Sequence, residues 1–69
     1  MTKERLMVRK EYVVYRVENG ICYYRRGELS ETLQAHRATR FTRVEAAKLY
    51  RNLMLDGARG WGYTHVSTL

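Results

Sequence analysis

Phe41 to Leu55, FTRVEAAKLYRNLML, is the stretch on which the fold turns, because no other segment is both long and helically periodic. Thr42 with Glu45 three residues later fits a capping box: the threonine hydroxyl accepts from the third amide while the glutamate returns to the cap's own amide. The helix is therefore predicted to start at Thr42. On a helical wheel Ala46, Ala47, Leu49, Tyr50, Leu53 and Met54 form one apolar face, and Glu45, Lys48, Arg51 and Asn52 form the solvated one. Asp56-Gly57 supplies the stop, since glycine enters the left-handed conformation without a Cβ clash.

Downstream, Ala58-Arg59-Gly60-Trp61-Gly62 reads as a flexible connector, and Tyr63 to Leu69, YTHVSTL, alternates in the manner of a strand. Upstream, Glu28 to Arg40 has no strand pattern. It reads as a packed loop with one or two turns of helix, capped by Ser30 and bringing Leu33, Ala35 and Ala38 towards the core. Before it, EYVVYRVE (Glu11 to Glu18) and ICYYRR (Ile21 to Arg26) flank Asn19-Gly20, a hairpin signal because a type I′ turn needs positive φ at both central residues.

A two-residue turn pairs Glu18 with Ile21, Val17 with Cys22, Arg16 with Tyr23 and Tyr15 with Tyr24. Alternation then puts Val13, Tyr15, Val17, Cys22 and Tyr24 on one face and Tyr12, Val14, Arg16, Ile21, Tyr23 and Arg25 on the other. The first set is the more uniformly apolar, so it is assigned to the helix side, leaving a tyrosine and arginine surface. Met1 to Lys10 mixes charge with Leu6-Met7-Val8 and extends the first strand, with residues 1–8 read as a frayed leader. The predicted architecture is one α+β domain over residues 1–69, ββαβ in order, with one helix across a three-stranded, mainly antiparallel sheet.

A chain of 69 residues buries only about 60% of its unfolded surface. The single Cys22 excludes an internal disulfide, so packing or association into a homodimer has to compensate. There is no apolar run near 18 residues and no secretory leader pattern, which points to a cytoplasmic protein without membrane contact. Thirteen basic residues against seven acidic ones leave a net charge of +6, and ten of the thirteen are arginine, the side chain suited to bidentate contact with carboxylate or phosphate.

His36 and His65 have no cysteine or carboxylate at ligand spacing, so neither a metal nor another cofactor is expected. Cys22 reads as a small apolar residue, and no phosphate-binding loop, nucleophile elbow or zinc-protease motif occurs. The composition argues against an enzyme and towards a binding protein. Two arginine groups are candidate partner contacts. Arg16 and Arg25 interleave with Tyr12 and Tyr23, the residue types with which aromatic platforms stack bases while guanidinium groups meet phosphates. Arg37, Arg40 and Arg43 precede and open the helix, where the dipole disfavours a cation. Trp61, between two glycines, is either the lid on the core edge or an exposed anchor.

Tyr23-Tyr24, Ala38-Thr39-Arg40-Phe41-Thr42, Glu45-Ala46 and Tyr63 to Val66 together resemble the small ββαβ proteins of phages and prophages. Some of those are anti-CRISPR or other host-takeover proteins that occupy a working surface of a host complex. The resemblance implies a non-enzymatic inhibitor or modulator of a host nucleic-acid-handling complex, with a protein or ribonucleoprotein as partner. Many such inhibitors are acidic mimics of nucleic acid, whereas this chain is basic. The alternative is a basic module that contacts nucleic acid directly, arginines on phosphates and tyrosines on bases.

Overall fold

A computed structural model describes residues 9–57 and 59–69. The leader assigned to residues 1–8 lies outside the described residues. The first strand, β1, spans Tyr12–Glu18 and the second, β2, spans Ile21–Arg26. Asn19 and Gly20 turn between them at φ 52° and 77°, and the register is the one the two-residue turn dictates, Tyr15 opposite Tyr24 through Glu18 opposite Ile21. The helix, α1, spans Arg43–Leu55 behind the Thr42 cap, and both arms of the capping box are formed. Glu45 Oε1 accepts from the Thr42 amide at 2.9 Å, and the Glu45 amide donates to Thr42 Oγ1 at 3.1 Å. The amide that Glu45 accepts, reinforced by the charge of Lys10, holds its carboxyl below the usual carboxylate range. Gly57, at φ 83°, ends the helix as expected.

The three-stranded ββαβ order is corrected in two ways. First, Ser30–Thr32 is a strand, β3, antiparallel to β2, rather than part of a loop with helical turns. Three residues are too few to display alternation in a sequence. What holds them is a partner distant in the chain: Arg16 on β1 grips Glu31 with Nε–Oε2 2.6 Å and Nη2–Oε1 2.9 Å. Helical structure in this region is confined to one 3-10 turn, Ala35–Arg37, which has no side-chain cap. Second, the last strand, β4, spans Trp61–His65 and pairs antiparallel with β1, and Val66–Thr68 leaves it as another 3-10 turn. Trp61 and Gly62 therefore belong to the strand and not to the connector. The element order is β-β-β-α-β and the sheet order β3-β2-β1-β4.

Two glycines make that closure sterically feasible. Gly60 takes φ 80°, and a Cβ there would stand 2.7 Å from the Val17 carbonyl oxygen. Gly62 lies under the Tyr15 ring, whose hydroxyl would meet a Cβ at 2.8 Å.

The face assignment is also corrected. Tyr63 lies opposite Val14, and its ring packs against Tyr50 of α1 at 5.5 Å between centroids. The helix therefore covers the Tyr12 and Val14 face, not the Val13 and Tyr15 face. Counting apolar residues along the hairpin could not reveal this, because β4 brings the aromatic ring that the helix packs on. The fully buried core is small: Val13, Val14 and Ala46, with Ala38 close behind. Tyr50 and Leu53 are half-buried as the wheel requires, but Met54 is 44% exposed and leaves the packed face. No helix among the described residues is long and apolar enough to cross a membrane.

Candidate functional site

Alternation along β1 and β4 places Tyr12, Val14, Arg16, Trp61, Tyr63 and His65 on the helix-covered face. Two clusters of side chains lie on this face. On the β4 side, α1 and the strands enclose a groove of about 790 Å³. Tyr12, Tyr63 and His65 form its floor, and Val44 and Ala47 of α1 form an apolar wall. Among the described residues its charged rim is Arg9, Arg43, Lys48 and Arg51, against the single carboxylate of Glu11. No residue of β2 lines it, whereas Tyr63 and His65 of the edge strand β4 do.

Glu11 is already engaged. Its Oε2 is 2.7 Å from His65 Nε2, and its Oε1 is 3.2 Å from Arg9 Nε. The Ser67 amide donates to His65 Nδ1 at 3.1 Å, so that nitrogen carries the lone pair and Nε2 carries the proton donated to Glu11. Ser67 Oγ, 2.9 Å from the same Nδ1, completes a cap on the C-terminal turn. The Tyr12 ring meets the imidazole edge-on at 5.2 Å. This polar knot ties the start of β1 to the end of β4 and uses the one carboxylate among the described groove residues. The cations on the helix have no such partner among the described ion pairs. The groove thus carries positive charge that no described carboxylate matches.

Further along the same strands lies the second region, where Arg16, Tyr23, Arg25 and Trp61 come together. Here the arginines have partners within the chain. Arg16 holds Glu31 and also Glu18 at 3.2 Å, and its guanidinium carbon stands 4.3 Å from the Tyr23 ring centroid. The hydrogen bond from Arg16 drives the Glu31 carboxyl below its ordinary pKa, and the same contact raises that of Arg16. Arg25 donates to the Glu28 carbonyl and stands 5.8 Å from the Trp61 ring, while its Nε is buried without a partner. Trp61 is half-buried beside that guanidinium, within a strand rather than between two loops.

Of the residues singled out from the sequence, Tyr12 and Arg43 line the groove, and Arg16, Tyr23, Arg25 and Trp61 form the second cluster. Arg37 and Arg40 remain exposed on the 3-10 turn and the segment after it, outside the groove. Arg9, Lys48, Arg51, Glu11, Tyr63 and His65 line the groove without having been singled out. A signal for the helical ones was present: Arg43, Lys48 and Arg51 recur at a spacing that keeps cations beside Val44 and Ala47 on one flank. Among the described residues, no three His, Cys, Asp or Glu side chains converge as a metal ion would need. No protein family, curated protein or solved structure matches the chain.

Proposed function

We propose that this chain is a non-enzymatic binding protein, phage-derived as its resemblance implies, that modulates a host nucleic-acid-handling complex by protein contact through the basic groove. The supporting observation is the imbalance of the groove among the described residues: four cations and one carboxylate, the carboxylate already held by Arg9 and His65. An acidic protein surface supplies the missing charges, and Val44, 58% exposed on the groove wall, offers it an apolar contact.

The second reading, direct binding of nucleic acid, draws support from the tyrosines beside these cations. It is the weaker because the Tyr12, Tyr63 and Tyr50 rings already pack on one another at 6.2 and 5.5 Å, which leaves little open ring face for a base. Capture from host lysate, with and without nuclease, tests the choice. The protein reading expects a partner that survives nuclease and is lost when Arg43, Lys48 and Arg51 are changed to Glu. Capture that disappears with nuclease supports the second reading instead. Affinity for an oligonucleotide should then fall with salt at a log-log slope of about 0.9 per phosphate contact on duplex or about 0.7 on a single strand.

A further inference from the structure

The hydrogen bonds of β4 run in one direction only. The Val66 amide donates to Glu11 O at 2.8 Å and the Val17 amide to Gly60 O at 2.9 Å, which marks Glu11 with Val66 and Val17 with Gly60 as bonded pairs. Antiparallel pairing alternates bonded and non-bonded positions. Between those limits, Val13 with Thr64 and Tyr15 with Gly62 are bonded, whereas Tyr12 with His65, Val14 with Tyr63 and Arg16 with Trp61 are not. The backbone groups of Trp61, Tyr63 and His65 therefore point away from β1, out of the sheet edge. Tyr12 confirms the phase from the other side, because its amide and carbonyl turn away from β4 to bond Phe41 at 2.9 and 2.7 Å. Among the described residues the only bond to these outward groups is from the Thr68 hydroxyl to the His65 carbonyl, at 2.7 Å. An unpaired edge of this kind is a template for another strand.

That edge borders the basic groove. Resting on the proposed protein-binding role, we infer that β4 accepts an extended acidic segment of the partner as a fifth, antiparallel strand, with acidic side chains at alternate positions entering the groove. Spacing and charge select this occupant. A residue bonded to Tyr63 across the new ladder has its side chain on the Tyr63 face, so residues two apart along the added strand all face α1. Four strand residues span roughly 13 Å. Arg43 to Arg51 spans about 12 Å along the helix, with Lys48 between them. Three alternate carboxylates thus span about the same length as the three helical cations. A second copy of the chain is the wrong occupant, because edge-to-edge pairing would bring two sets of Arg43, Lys48 and Arg51 together.

The test uses the full chain and a fluorescent heptapeptide with glutamate at three alternate positions and threonine between. In this register the glutamate amides bond the Tyr63 side of the ladder, and the threonine amides point away. N-methylation of the glutamate amides should weaken binding about tenfold or more, whereas N-methylation of the threonine amides should leave it unchanged. The amide protons of Trp61 and Tyr63 should gain protection from exchange in the complex. Equal binding of all three peptides, with no protection, overturns edge pairing and leaves an electrostatic groove. No peptide binding while the lysate partner is still captured through Arg43, Lys48 and Arg51 also overturns it, yet leaves the protein-binding reading intact. If neither peptide nor lysate protein binds and an oligothymidylate does, both fall.

Discussion

Two arginine-rich regions share one face of this sheet and use the same side chains in opposite ways. Beside β2 and β3, Arg16 is chelated by Glu31 and reached by Glu18, and Arg25 is held between the Glu28 carbonyl and Trp61. Beside β4, Arg43, Lys48 and Arg51 surround a groove whose only carboxylate among the described residues belongs to Arg9 and His65. A cation whose charge is matched inside the fold contributes to the fold, whereas one left unmatched beside a concave surface is available for recognition. Residue type and net charge do not separate these roles, but the list of partners does.

The largest effect is expected in the layer that both regions rest on. Tyr50→Ala removes the ring against Tyr63 and should destabilise by about 2 to 5 kcal/mol in chemical denaturation, as truncation of a large packed side chain does. A stability close to that of the parent would mean that the helix does not pack on the Tyr63 face. Next comes the closure of β4. Gly60→Val combines positive φ with a Cβ placed against the Val17 carbonyl, so a loss of roughly 1 to 3 kcal/mol is expected. An unperturbed variant would mean that β4 does not close against β1 at Gly60 and Val17.

The contrast itself is sharpened by one pair of variants. Arg16→Ala should lower the melting temperature, because Glu31 then loses the partner that anchors β3, and it should leave groove binding intact. Arg51→Ala should do the reverse. If both variants behave alike in the melt and in the binding assay, the division between matched and unmatched cations fails.

The smallest effect is a pH dependence. Contact with Arg16 lowers the Glu31 pKa in the folded state, so its stabilisation is fully present above the ordinary carboxylate pKa, about 4.3, and is lost as pH falls towards the folded value. Denaturation curves between neutral pH and about pH 3 should therefore converge for the parent and Glu31→Gln at the acid end. A constant offset across that range would show that the carboxylate adds nothing through its charge.

Much of the hairpin and helix was legible locally. Asn19-Gly20 dictated its own turn and hence the Tyr15 to Tyr24 register, and Thr42 with Glu45 dictated the start of the helix. Both depend on contacts within a few residues, where conformational preference and hydrogen bonding act directly. β3 escaped the sequence reading because its evidence lies in Arg16, fifteen residues from Glu31. The groove escaped because Glu11 meets His65 only after the last strand returns beside the first.

The sequence by itself determined that this is a small, basic α+β chain with an Asn-Gly hairpin, a capped helix and an excess of arginine. The tertiary structure alone decided which face the helix covers, which of the described cations are matched and which strands form the sheet edges. The physical reason is that turns and caps are satisfied by neighbours in the chain. Face, charge pairing and edge are settled by β4, whose Tyr63 pairs with Val14 and packs on Tyr50.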